Sequence, residues 1–426
     1  MKKIIWTICL ITAAAAAPAA YANGLNLNGL GARAVTMGGA FVGLADDYSA
    51  IFWNPAGLGF MDKPAIGFNL FDVMPSGSYR FAIPGGEVKA ESPTKHYLGG
   101  LGGWIQPVND RLVAGIGVFT PSGLGAAWKS KDMASLSGGQ TSIDWSSRIG
   151  VFTFAPAVAY RAGDSLSFGA RIDISYGFFN LSTYAGSIDA GPENVIDLGQ
   201  YEETLNGWGF GAAVGVLYKP GPNVSLGVTY RTPATVRFAG KAAISMFKYL
   251  GYPEESEIDR PVTWPSWLAA GAAVKPVDGL TLTADVQYTN WKAMDVLETT
   301  FKEPFWKQIM TAAGNTRREL YWEDKIQVRF GAEYALGKEW AVRAGYYSDP
   351  SPAPDRTMNI LLPSYGFSGV TLGFGRSSGG LRIDFGVELL LAKDRTIAAT
   401  RENAAAMPGV YGMTILVPHF SVSHRF

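Results

Sequence analysis

Beyond about residue 62, apolar positions alternate with small or polar ones at period two along most of the chain. Leu166, Phe168, Ala170, Ile172, Ile174, Tyr176 and Phe178 alternate with Ser165, Ser167, Gly169, Arg171, Asp173, Ser175 and Gly177. Leu280, Leu282, Ala284, Val286 and Tyr288 alternate with Thr281, Thr283, Asp285, Gln287 and Thr289, and the pattern recurs at 152–160, 224–231, 326–336, 340–346 and 381–389. Successive side chains of a strand point to opposite sides, so each segment reads as a strand with one apolar face and one small or polar face. A soluble sandwich alternates too, and length separates the two. These segments run about 10 to 15 residues, against roughly 5–6 for a soluble strand. A tilted barrel strand needs about 9–11 to cross a bilayer. The charged residues fall opposite Leu, Ile and Phe, as expected for an apolar outer wall around a wet lumen.

The connections alternate as well. Short turn signals fall at 107–110, 161–164, 220–223, 276–279, 337–339 and 377–380. Long polar segments lie near 73–94, 120–144, 180–205, 240–261, 292–320, 348–364 and 392–410. Six short turns and seven long loops predict 14 antiparallel strands, an even number with short periplasmic turns and long outer loops. The fold class is therefore all-β, a transmembrane barrel of the outer membrane of a Gram-negative cell. The last strand, 414–426, ends in Phe426, which suits recognition by the barrel-assembly machinery. Trp104, Trp128, Trp145, Trp208, Trp264, Trp267, Trp291, Trp322 and Trp340 cluster near strand ends, where interface girdles would place them.

Composition narrows the partners. With 36 Lys+Arg against 36 Asp+Glu the formal charge is zero, so no basic excess argues for nucleic acid. Apolar residues reach 47% while charged ones are only 17%, below the roughly 25% of soluble domains. Lipid is the destination for that apolar excess. Lys2 and Lys3, the apolar stretch 4–17 and the Ala20-Tyr21-Ala22 site predict a signal peptide over 1–22, cleaved after Ala22. Cys9, the only cysteine, lies inside it, so the mature chain offers no disulfide and no thiolate. No later run of 18 or more apolar residues occurs, which excludes a helical inner-membrane protein. The three histidines, His96, His419 and His424, leave little for catalysis or metal, and no cofactor is implied. His419 and His424 differ in parity; Ser421 and Ser423 share the His419 side and read as neighbouring small residues on a wall. Asp46-Asp47 reads as a turn cap, with a bound cation as the alternative.

Residues 23–61 do not alternate. They are Gly- and Ala-rich, with short apolar runs and an Asn54-Pro55-Ala56-Gly57 turn. The stretch is too apolar for a disordered tail and too short for a domain. It reads as a plug filling the lumen, with a loosely packed periplasmic arm as the alternative. Here the chain resembles the FadL family of outer-membrane long-chain fatty acid transporters and its TodX-type hydrocarbon relatives. The resemblance is carried by Gly29-Leu30-Gly31-Ala32-Arg33-Ala34, Gly38-Gly39-Ala40, Ala45-Asp46-Asp47 and the Asn54, Pro55, Ala56 signature. The Pro-rich stretch 349–355 adds to it. It implies a 14-stranded barrel, over 62–426, closed by an amino-terminal hatch.

The resemblance further implies diffusive uptake of a hydrophobic small molecule, caught at an outer groove, held in a lumen pocket and released sideways through the wall. The family's gap lies at an inward kink of the third strand, here about 111–120. Gly115 and Gly117 in that strand, which Pro121-Ser122-Gly123 follows, and Pro156 in the next suit a locally unpaired wall, with the opening between these two strands; the glycines serve equally well to make room for the hatch. Two loops carry apolar residues for a capture groove: Met246, Phe247 and Leu250 in one, Phe301, Phe305 and Trp306 in the other. Packing of loop on loop accounts for them too. Arg171, Arg231, Arg329 and Arg343 point inward by parity, and Arg171, Arg329 and Arg343 are the candidate head-group cations. Arg171 shares a face with Asp173, and Arg382 with Asp384, so paired lumen charges explain such residues as well. Expected neighbours are outer-membrane lipid and lipopolysaccharide around a monomer. A general porin for small polar solutes is the competing reading; an apolar plug argues against it. A barrel enzyme or adhesin is the third.

Overall fold

The computed structural model describes residues 24–189, 195–403 and 405–426. The expected signal peptide and its cleavage site lie outside the described residues. Fourteen strands, all antiparallel to their neighbours, close into one barrel. They are β1 Ala65–Ile83, β2 Tyr97–Pro107, β3 Leu112–Trp128, β4 Trp145–Arg161, β5 Leu166–Tyr184 and β6 Gln200–Gly221. β7 runs as Val224–Arg231 and then Ala234–Ile244, and β8 as Glu255–Trp264 and then Trp267–Val277. There follow β9 Leu280–Thr289, β10 Lys325–Leu336, β11 Trp340–Asp349, β12 Phe367–Ser378, β13 Leu381–Ala392 and β14 Gly409–Arg425. β14 returns to β1 through a register from Ala65↔Arg425 to Arg80↔Val410, which closes the ring between the last strand and the first. Several strands outrun a bilayer span, and β1 continues into an outer hairpin with Gly86–Glu91.

The alternation sorts as the sequence predicts. Phe68, Leu70, Phe154, Phe168, Ile172, Phe210, Leu372 and Phe374 stand exposed on the outside. Ser167, Arg171, Ser175, Thr283, Asp285, Gln287 and Arg329 are buried on the inside. The tryptophans divide. Trp104, Trp208 and Trp340 are exposed on the outer wall, whereas Trp128, Trp145, Trp264, Trp267, Trp291 and Trp322 are buried. The girdle expectation therefore needs correction for those six. They cover apolar area in the lumen and among the outer loops, which a Trp at the lipid boundary would not.

Residues 25–61 lie within the ring of strands and are buried almost throughout. Two short helices, α1 Ala32–Thr36 and α2 Ala50–Trp53, are followed by a 3₁₀ turn, Pro55–Phe60. Elements this short do not stand alone; the wall supplies their partners. The Gly31 amide donates to Asn69 of β1 (3.1 Å), Ala32 to Ser421 of β14 (2.9 Å), Gly38 to Thr371 of β12 (3.1 Å) and Val42 to Asp285 of β9 (3.0 Å). Close approach depends on wall positions without a side chain. A Cβ on Gly345 would stand 2.0 Å from Gly38 N, and one on Gly169 would stand 2.2 Å from Ala56 N. Much of the chain's glycine content serves this contact rather than turns.

Candidate functional site

Asn54 anchors the corner of the inner segment. Its side chain donates to the carbonyls of Val42 (3.0 Å) and Val216 on β6 (3.1 Å), and its Oδ1 accepts the Ala56 amide (3.1 Å). Pro55 opens the 3₁₀ turn with a φ already suited to it. Ala56 fits over the bare backbone of Gly169. The Asn54-Pro55-Ala56 signature is thus a docking corner that caps a turn and fixes it to the wall.

The candidate cations serve the same contact. Arg171 Nη1 donates to the carbonyls of Ile51 (2.5 Å) and Phe52 (2.7 Å), while its Nε bonds Asp173 (2.8 Å). These are the unpaired carbonyls at the end of α2, where a cation is favoured. Arg231 also donates to Phe52 O (2.7 Å) and lies 4.0 Å from the Trp267 ring. Arg329 donates to Gly38 O (3.2 Å) and Gln327 (2.9 Å). Arg343 bonds Glu333 (2.6 Å) and pairs with Asp384 (2.9 Å). Of the three, Arg171 and Arg329 line a cavity of about 100 Å³ together with Arg231, Phe52, Trp53 and Trp267. Arg343 is not among the residues lining it.

Pairing of β2 with β3 ends beside a second cavity, at a level beyond Gly115 and Gly117. Between β3 and β4, Gly115, Gly117 and Pro156 are all paired, Gly115 with Ala157, Ile116 with Pro156 and Gly117 with Ala155; toward β5 the pairing skips Ala155 and Pro156, between Phe154↔Ile174 and Ala157↔Arg171. Cβ atoms on Gly115 and Gly117 would meet Leu58 and Ile51 of the inner segment at 3.2–3.5 Å, so the glycines make room for it. The break lies higher. Pairing of β2 with β3 stops at Leu101↔Phe119. Toward β4 the register slips between Phe119 and Ser122, where two residues oppose one, a bulge that bends the strand. Thr120 patches the end of the β2 ladder, its Oγ1 accepting the Gly100 amide at 2.9 Å. Beyond it, the β3 edge that would face β2 is taken by the inner segment. Leu27 N–H donates to Pro121 O (3.1 Å), Gly123 N–H donates to Leu25 O (3.0 Å), and Asn26 bridges Ser122.

An apolar cavity of about 170 Å³ adjoins this break. On the lumen side it is lined by Phe71, Tyr365, Phe367, Leu390 and Val417; at the break by Leu27, Thr120 and Ser122; on the outer face by Leu98 and Phe152. Leu98 is 66% and Phe152 49% exposed, so the lining runs from lumen to outer wall. Arg148 stands at the outer mouth, its guanidinium 4.9 Å from the Phe178 ring. Arg148 and the bulge both escaped the sequence reading. The signal for the bulge was Pro121, a residue that cannot donate to a ladder.

The loop residues gather over the outer end. Phe247 and Trp306 are buried, their rings 5.2 Å apart edge to face, and Phe301 lies 5.9 Å from Trp306. Met246, Leu250 and Phe305 are partly buried against the same cluster. Phe305 stacks on Tyr252 at 4.1 Å. The loops do pack on each other, around the helix Pro304–Ala312, whose N-cap Glu303 accepts the Trp306 amide.

A closed barrel with an apolar outer face, an internally bonded plug segment and an apolar cavity meeting a break in its wall defines an outer-membrane transport protein. The chain belongs to the outer membrane protein transport protein family (OMPP1/FadL/TodX), whose profile matches residues 8–417. It is 24% identical over 384 residues to a long-chain fatty acid transport protein of Escherichia coli, covering 80% of this chain and 79% of the relative. It is 23% identical over 379 residues to outer membrane protein P1 of Haemophilus influenzae, covering 80% and 77%. Its fold matches that of a Pseudomonas aeruginosa FadL homologue with a TM-score of 0.78 at 16% identity over 95% of this chain and all of that one. The Pseudomonas putida toluene transporter TodX gives 0.74 at 21% identity over 94% and 99%.

Proposed function

We propose that the protein carries hydrophobic molecules, long-chain fatty acids or hydrocarbons, passively across the outer membrane and releases them sideways through the wall between β2 and β3. One observation carries the reading: the apolar cavity lines both the lumen and the outer face across the Thr120–Ser122 bulge. The outer aromatic cluster around Phe305 and Tyr252 is the first contact. The cavity then shelters the apolar body, where each buried CH₂ gains about 0.8 kcal/mol over water. Residues 25–27 close the break by pairing with β3, and their withdrawal opens it. A sideways exit keeps the substrate out of water at every step. Arg231 and Arg329, in the cavity next door, suit a carboxylate end.

The names of the fatty acid and toluene transporters that the chain resembles support this reading over a porin for polar solutes, as does the plugged lumen. The test is uptake of labelled oleate and labelled toluene by porin-deficient cells with and without the protein. Entry of either above background, with small sugars excluded, is the expected result. Entry of sugars alone would sink the assignment and leave the fold standing.

A further inference from the structure

The inner end of the apolar cavity is not apolar. His419 of β14 and Glu388 of β13 both line it. The His419 side chain is 2% exposed, and neither ring nitrogen has a hydrogen-bond partner. Glu388 Oε2 is 3.7 Å from His419 Nε2, beyond hydrogen-bond range, while Glu388 Oε1 accepts the Tyr347 hydroxyl at 2.6 Å. A buried polar group left without a partner is costly, and native proteins seldom keep one without a reason. Phe71, whose ring centroid is 5.4 Å from that of His419, seals one side.

We propose that His419 and Glu388 form a hydrogen-bonding subsite for the hydroxyl end of a neutral hydrophobic substrate, a phenol or an alcohol. The inference rests on the hydrophobic-uptake reading and names a substrate class for its cavity. A hydroxyl meets both groups at once: it donates to the Glu388 carboxylate or to an unprotonated His419 nitrogen and accepts from the N–H. A bare hydrocarbon fills the cavity yet leaves the histidine unsatisfied. A carboxylate placed here would face Glu388 and Asp349, both in the lining. The one cation in that lining, Arg148, is at the outer mouth. Like charges at close range in a dry site are strongly disfavoured.

Three ligands with one skeleton test it: toluene, p-cresol and p-toluate, titrated calorimetrically against the intact protein in lipid nanodiscs, where no detergent competes for the cavity. The expected order is p-cresol about tenfold tighter than toluene, as one extra well-placed hydrogen bond gives, with p-toluate weakest. His419→Leu should remove the advantage of p-cresol over toluene. Glu388→Gln keeps a group that can bond Tyr347, and should tighten p-toluate about tenfold. Heat-modifiable migration on gels checks that each variant is folded, and the Glu388→Gln result stands if His419→Leu fails to assemble. Equal binding of toluene and p-cresol by the wild-type protein would overturn the subsite and leave uptake of hydrophobic molecules intact. Tightest binding of p-toluate would also overturn it, in favour of a carboxylate site. Failure of all three to bind would remove both the subsite and the cavity's role in uptake.

Discussion

Glu333 on β10 shows how single residues hold the inner segment to the wall. It accepts Arg33 of α1 through both oxygens at 2.8 Å, Arg343 at 2.6 Å and Arg382 at 3.2 Å. Arg33 pairs in turn with Asp46, closing a loop within the inner segment. One carboxylate thus serves three guanidiniums, all less exposed than a surface pair. Removing one partner of a buried pair leaves charge uncompensated and costs about 3–5 kcal/mol. Glu333→Gln should therefore lower stability by roughly 3 kcal/mol in urea unfolding from bilayers, at the low end of that range because Asp46 and Asp384 remain. A change within experimental error would show that the network is not structurally important. Parity made the inward direction of Arg171, Arg329 and Arg343 legible. The pairing of Arg171 with Asp173 was legible too; the bonds of Arg171 and Arg329 to Ile51 O, Phe52 O and Gly38 O were not, because those carbonyls lie more than 100 residues away in sequence.

The third strand carries the bulge on which the proposed exit rests. Before Thr120 its buried positions are odd, Val113 and Phe119; after Pro121 they are even, Ser122, Ala126 and Trp128. One extra residue exchanges the two faces, and that exchange turns Trp128 inward, away from the lipid boundary. Alternation predicted β3 itself, yet the slip is visible only against β4 and the end of pairing only against β2. Composition therefore attached the opening to Gly115, Gly117 and Pro156, which are paired between β3 and β4, while Pro156 interrupts only the pairing of β4 with β5. Deleting Pro121 restores one-to-one pairing with β4. The variant should assemble as a heat-modifiable barrel and lose hydrophobic uptake to background. Undiminished uptake by a folded deletion would place the exit elsewhere.

Across the whole molecule, the strand number, the closed ring and the sorting of faces followed from period-two alternation and turn spacing, since both are local and repeated. The internal fit did not, because it arises where residues 25–61 meet ten or more strands at once. The central claim joins the two: the inner segment closes a break in the wall, and its release lets an apolar solute leave. Asn26 and Ser122 form a non-hydrogen-bonded antiparallel pair, for which Cα atoms stand about 4.5 Å apart, within disulfide reach. Cys9, in the expected signal peptide, is the only native cysteine. The most direct measurement is uptake of labelled oleate and toluene by porin-deficient cells expressing the Asn26→Cys, Ser122→Cys double variant, oxidised and then reduced. Uptake at background when oxidised and restored by reductant is the predicted result; equal uptake in both states would contradict the account.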